Sequence, residues 1–262
     1  MINLLYDKNA NPALRGRFAG KSIFSMMTGP SLNSLDYKQL DGRFTFSIKR
    51  LPLSHLRPTI WLCMEKQQDH SYKIWEDKTL IKIVTQEVYD KGYLQPQGPV
   101  IDGQESKTLF RMGHINKLKN VYWFKLAQTY KSATYFTEDK VQWGMDSERK
   151  DEHGIQGRRS IMLAHFRILH HLGFKRIYLL GVDFEMDRVQ PYSYDRVKAP
   201  GAVAQNNLLY ESLQVRLATL YPLMLQNGLE VFNCNPDSRL KVFPYMSYED
   251  ALNDKDSYMY RN

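Results

Sequence analysis

The chain has 262 residues, 43% of them hydrophobic and 24% charged, a globular mixture with ample apolar material for a core. No stretch approaches the roughly 18 uncharged apolar residues that a membrane span needs, and the segment from Met1 to Lys8 meets an acid too early for a signal peptide, so a cytoplasmic protein is expected. Two distant cysteines, Cys63 and Cys234, exclude a disulfide framework and read as buried thiols, whereas a net charge of +8 attracts phosphates, from a nucleotide up to a nucleic acid.

Residues 1–20 are polar and irregular. The apolar run Lys21 to Met27 predicts a buried parallel strand that ends at Thr28-Gly29-Pro30-Ser31, where a short helix is expected to start. Phe44–Ile48 and Thr59–Met64 predict two more strands, and Leu80–Val84 reads as another. Residues 103–157 are charged and aromatic with little periodicity; the polar part from Ser147 to Gly154 suggests a lid beside a rigid sheet. An amphipathic helix is expected from Ser160 to His171, ended by Gly173. The strand Arg176–Val182 follows, with Asp183 at its carboxyl end. A long helix over 203–226, a strand Leu229–Asn233, the turn Asn235-Pro236-Asp237-Ser238 and a capped helix start at Ser247 complete the chain.

Strands alternating with helices predict one α/β domain over 1–262: a Rossmann-like, mostly parallel sheet with helices on both faces and a small lid region. Ligands of such sheets sit outside the carboxyl ends of the strands. Thr28 to Ser31, Ser47 to Lys49, Cys63, Asp183 and Asn235 to Ser238 all follow strand ends and are expected on one rim. The Thr28–Ser31 turn offers a glycine, two hydroxyls and a helix start, which suit an anion. It is neither a Walker loop nor a dinucleotide fingerprint. Arg158-Arg159-Ser160 places cations at a helix N-terminus, where they would stabilise a diphosphate leaving group. Asp183 reads as a hydroxyl ligand, a base or a turn aspartate, and Tyr192 as a stacking or packing ring.

"TGPSLNSLDYKQL", "RRSIMLAHFRILHHLGFKRIYLLGVDF" and "LEVFNCNPDSRLKVFP" together resemble the GPSL-motif bacterial sialyltransferases, the motility accessory factors and the hydroxymethylpterin pyrophosphokinase-like proteins. The resemblance covers about a third of the chain, in three blocks spread over residues 22–244. It implies a nucleotide-sugar donor as co-substrate and no tightly bound cofactor. By the same resemblance Thr28, Gly29, Pro30 and Ser31 line the donor, Arg158 meets its phosphate, and Ser160, Tyr192, Asn235 and Ser238 contact it. Lys49 and Cys63 stand where the sialyltransferases present asparagines, and no histidine stands near the start of the last long helix. Asp183, Glu211 and His153 are the remaining candidates for a base.

The expected activity is therefore sugar transfer from a nucleotide donor to a hydroxyl. The acceptor expected is a hydroxymethylated base in phage-type DNA, for which Tyr122, Trp123, Phe124 and Trp143 would provide an aromatic platform. A glycan acceptor is the first alternative. A pterin-type pyrophosphokinase, needing a metal held by paired acids such as Asp183 and Glu185, is the second.

Overall fold

The apolar runs alternate strictly between two buried faces once they are laid side by side. The computed structural model describes residues 2–49, 56–64, 71–97, 110–144, 150, 154, 159–187, 189–193 and 200–259. In chain order the elements are β1 (Ser22–Met26), β2 (Thr45–Ile48), β3 (Ile60–Cys63), α1 (Tyr72–Glu76), β4 (Ile81–Thr85), α2 (Gln86–Tyr89), β5 (Gly92–Pro96), β6 (Phe110–His114), β7 (Val121–Phe124), α3 (Ile161–Leu172), β8 (Arg176–Leu180), α4 (Pro200–Gln226), β9 (Glu230–Asn233) and α5 (Tyr248–Leu252). Seven strands form one sheet in the order β7-β4-β3-β2-β1-β8-β9, while β5 and β6 pair as a separate antiparallel ribbon. Every pairing within the large sheet is parallel. The expected Rossmann-like α/β architecture is what the chain adopts.

Residue parity assigns the two faces. Ile23, Phe46, Ile60, Leu62, Ile83, Ile177, Leu179 and Val231 share a core with α3 and α4. Their alternates Phe24, Met26, Tyr178 and Leu180 pack against Tyr248 and Ala251 of α5, and Trp61, Cys63 and Val84 pack against Ile74 and Trp75 of α1 and Val88 of α2. Both faces are thus dry, which explains why the strands read as continuous apolar runs rather than as half-polar ones. The two thiols, Cys63 and Cys234, are buried as expected.

α3 follows its sequence signals closely. Ser160 caps it by accepting from the Met162 amide at 3.2 Å, and Gly173 ends it in the left-handed region at φ 94°. Its amphipathic reading understates its burial, because even His165 and Arg167 are enclosed. The reason lies in residues 125–144, within the 103–157 stretch that shows little periodicity. They pack over the outer side of α3: the Tyr135 hydroxyl donates to the Leu163 carbonyl, and Arg167 donates to the Phe136 carbonyl at 3.0 Å. Tyr122, Trp123 and Phe124 are likewise not an acceptor platform; they form β7, and Trp123 and Phe124 are buried. The N-terminal lead-in protects that edge strand. Tyr6 exchanges two backbone hydrogen bonds with Trp123, at 2.9 and 3.0 Å, and stacks on its ring.

Candidate functional site

The sheet order reverses between β1 and β8. The chain leaves β1 toward β2, β3, β4 and β7 on one side, and β8 and β9 fill the other. Loops leaving two adjacent parallel strands in opposite directions open a crevice at their carboxyl ends. A cleft lies there, lined by Met27, Thr28 and Gly29 after β1 and by Gly181 to Met186 after β8.

The two loops are fastened together beyond the strand ends. The Met27 amide donates to the Leu180 carbonyl at 2.8 Å, and the Gly29 amide to the Gly181 carbonyl at 2.9 Å. The Ser31 amide then donates to Asp183 Oδ2 at 3.1 Å. Asp183 Oδ1 accepts from Asn235 Nδ2 at 2.6 Å, which brings the turn after β9 into the same clasp. Only glycine fits at position 29, since a β-carbon there would lie 2.2 Å from Asp183 Oδ2 and 2.6 Å from the Gly181 carbonyl oxygen. Gly181 is held at φ +66°, where a β-carbon would meet Leu32 Cγ at 2.4 Å.

This clasp takes up one amide of the expected phosphate cradle. The short helix expected after the turn is a 3-10 helix over Pro30–Ser34. Its amides are committed: Ser31 N–H to Asp183, and Leu32 N–H to the Gly29 carbonyl at 3.2 Å. A carboxylate of the protein occupies the position foreseen for a ligand anion. The Ser31 hydroxyl is buried, Pro30 does not line the cleft, and Thr28 and Gly29 do.

Lys49, Ser160, Asp183 and Tyr192 line the cleft alongside Thr28 and Gly29. Ser47, Cys63, Asn235, Ser238 and Glu211 do not. Ser47 and Cys63 have the parity of the opposite sheet face, and Cys63 sits in the core beside Trp61 and Trp75. Asn235 touches the site only through Asp183, and the buried Ser238 hydroxyl accepts from the Leu240 amide at 3.1 Å. Glu211 is exposed on α4. One turn position decides this: Asn206, Leu209, Tyr210 and Leu213 have the i, i+3, i+4, i+7 spacing of one helix stripe and face the cleft, and Glu211 lies about 100° round. Arg158 and His153 fall outside the described residues.

Of the further lining residues, Arg159 and Trp143 were named from sequence, as a cation at the start of α3 and as an aromatic of the expected platform, and Tyr210 was not. Arg159 borders the cleft, its guanidinium 4.9 Å from the centre of the Trp143 ring, and the Ser160 amide donates to the Trp143 carbonyl at 2.6 Å. Tyr210 stacks on Phe184 with ring centres 4.9 Å apart, and burial, with Tyr192 and Asp183 nearby, pushes its hydroxyl up to about 12. It is a hydrogen-bond donor at neutral pH, not a base. The spacing along α4 was the available signal for it. Asn207 fastens the far wall, its side chain accepting from the Met186 amide at 2.8 Å. The Ser193 amide donates to the Thr28 carbonyl at 3.0 Å and lays the Tyr192 segment over the turn. Lys49 and Phe184, both non-glycine, hold left-handed φ values of 54° and 57°, and backbone outliers of this kind concentrate at functional sites.

No family model matches the chain, and no curated protein matches it. Among solved structures, the chain is similar to the sialyltransferase CstII from Campylobacter jejuni in complex with cytidine-5'-monophosphate, at 12% identity over 90% of this chain and 88% of that one, with a TM-score of 0.43. It is similar to the sialyltransferase CST-II in complex with a trisaccharide acceptor and CMP at 14% identity over 87% of this chain and 86% of that one, with a TM-score of 0.43. At these identities and scores, the chemistry of the cleft rests on this chain's own residues.

Proposed function

We propose that the cleft binds a nucleotide-activated sugar and that the protein transfers the sugar to a hydroxyl acceptor. The observation that carries this reading is the position and lining of the cleft. It sits at the sheet's switch point and is lined by cationic Lys49 and Arg159, by the hydroxyl and carboxylate groups of Thr28, Ser160, Asp183 and Glu185, and by the rings of Tyr192 and Tyr210. Cations suit a phosphate, rings suit a base or a sugar face, and a wall of short polar side chains suits sugar hydroxyls. In the transfer the bond from the anomeric carbon to the phosphate oxygen breaks and its electron pair leaves with the nucleotide. A new bond forms to the acceptor oxygen, whose proton passes to a base or to water.

The α3 N-terminus, with Arg159 beside it, favours the negative charge that grows on the leaving phosphate. The pyrophosphokinase alternative fits less well. Both Asp183 oxygens accept hydrogen bonds, and Glu185 is paired with Arg239 at 2.6 Å, so the two acids meant for a metal are engaged elsewhere. Among the described residues no helix is long and apolar enough to cross a membrane. The charge of +8 supports a polyanionic acceptor, hydroxymethylated DNA, over a neutral glycan; of the four aromatics expected as its platform, Tyr122, Trp123 and Phe124 belong to β7 and Trp143 lines the cleft.

Thermal shift with uridine, cytidine, guanosine and adenosine nucleotides tests the donor side: at least one is expected to raise the melting temperature, and no shift with any of them overturns the reading. Incubation with nucleotide sugars and either hydroxymethylated duplex DNA or soluble glycans, followed by mass measurement, tests the acceptor. A sugar mass gained only by glycan overturns the DNA acceptor and keeps the transferase.

A further inference from the structure

α4 is a surface helix that is apolar on more than one side. Leu213, Leu217, Leu220 and Met224 belong to the core, and Asn206, Leu209 and Tyr210 line the cleft. The outer side is not the charged face that such a helix ordinarily offers to water. Ala204, Leu208, Val215, Ala218, Pro222 and Leu225 are all exposed there, with Leu208 at 50%, Val215 at 49% and Leu225 at 47%. Of the 27 residues of α4 only Glu211 and Arg216 are charged, and Arg216 is buried. In a chain with 24% charged residues, a helix of that length would carry about six.

The spacing identifies what this face fits. Together with Glu211, the exposed apolar residues follow one another in alternating steps of four and three from Ala204 to Leu225, the repeat that lets one helix pack lengthwise on another. The strip runs about 31 Å along the helix. Closed by its own copy, a strip of that length on a helix about 10 Å across removes on the order of 600 Å² from each protein, and the total of about 1,200 Å² is the lower end of what a specific interface buries. An antiparallel pairing matches the strip to itself. About a two-fold axis between Val215 and Ala218, Leu208 meets Leu225, Val215 meets Ala218 and Glu211 meets Pro222 of the second copy. The two Glu211 positions are then about 16 Å apart along the helices, whereas a parallel pairing would set the two carboxylates side by side. α4 offers no lysine or arginine of its own to solvent, so neither an anionic membrane nor a nucleic acid is drawn to this strip.

We infer that two copies of the chain pair through the outer strip of α4, as an antiparallel helix pair that braces the helix walling each cleft. The pairing does not depend on what the cleft binds.

Sedimentation equilibrium of the full chain between about 2 and 300 µM tests it, since an interface at the lower end of the specific range corresponds to a dissociation constant on the order of 10 µM. The mass is expected to rise with concentration from that of one chain to that of two, and to do so equally in about 50 mM and 500 mM NaCl, because apolar contact is not screened. Val215→Glu, beside the two-fold axis, is expected to stay monomeric throughout this range while its melting temperature, measured where both proteins are monomeric, stays within about 2 °C of the unaltered protein's. A chain that remains monomeric at the highest concentration overturns the inference. So does a dimer that Val215→Glu leaves intact, which places the contact elsewhere, or a monomeric chain that binds phosphatidylcholine vesicles and loses them in Val215→Glu. If Val215→Glu does not fold, Leu225→Gln decides instead: it is expected to weaken pairing at least about tenfold, as loss of one apolar contact at each end allows, and unweakened pairing overturns the inference.

Discussion

Asp183 shows how one carboxylate organises a site. It holds the turn after β1 through the Ser31 amide and the turn after β9 through Asn235, so three loops share one anchor. A buried or half-buried carboxylate satisfied by N–H donors is stable where it would otherwise be costly. The anchor also dictates its neighbour. Gly29→Ala would place a methyl group 2.2 Å from Asp183 Oδ2, with the backbone oxygen of Gly181 at 2.6 Å, and only one of those two can swing away. We expect the change to cost roughly 1–3 kcal/mol in urea unfolding and to weaken ligand binding, because the clasp must open to admit it. Unchanged stability would mean that the loops are not fastened as described. The sequence marked both residues, since a glycine after one strand and an acid after another are local signals. Their direct contact was not legible, because residues 29 and 183 meet only through the parallel pairing of β1 with β8.

At the scale of elements, α3 carries the clearest energetic signature. His165 is fully enclosed, bonded through Nε2 to the Ser25 hydroxyl at 2.7 Å, and burial pushes its ring down to about 3. His171, on the same helix, is pushed down to about 4, chiefly by burial. Both rings are neutral in the folded protein and take up protons near pH 6.5 once unfolded. The unfolded state therefore binds more protons below that pH, and stability must fall as the pH falls from about 6.5 toward 4. Each ring contributes a slope of up to about 1.4 kcal/mol per pH unit. Urea titrations at several pH values should show this decline. Replacing His165 with Leu should lower stability at pH 7, where the Ser25 hydroxyl loses its partner, while flattening the acid slope. A slope unaltered by His165→Leu would place the acid sensitivity elsewhere.

The whole molecule is closed by its C-terminal segment, which spans the far face of the sheet near β1 and β8. Arg43, at the entry to β2, donates to the Gln39 carbonyl at 3.0 Å, to Ser257 Oγ at 2.6 Å, and to the Leu252 carbonyl and the Tyr258 hydroxyl, each at 2.7 Å. Asp254 adds a second tie, accepting from the Tyr178 hydroxyl at 2.7 Å and from Arg176 at 3.2 Å. Arg43→Met keeps the apolar stem but strands several buried acceptors. We expect a loss of roughly 3 kcal/mol, or on the order of 10 °C in melting temperature, read by calorimetry. A loss below about 1 kcal/mol would show that the C-terminal segment is held by its apolar contacts instead.

The fold class, the positions of the strands in the main sheet other than β7, the start and stop of α3 and the burial of both cysteines were all legible along the chain. Those features depend on local chemistry: apolar runs too short for helices, a serine cap, a glycine in the left-handed region. Strand order was beyond local reach, and with it the switch point that opens the cleft between β1 and β8. Strand parity, which turned Cys63 away from the site, and helix phase, which chose Tyr210 over Glu211, were readable as periods; which face they addressed depended on the packed neighbours. β7 and the cover over α3 were missed because their aromatic and charged residues earn their burial from partners distant in sequence, such as Tyr6 and Arg167. The tertiary structure also decided what the Thr28–Ser31 turn does. Read along the chain it was an anion cradle, and in the fold its Ser31 amide is already given to Asp183.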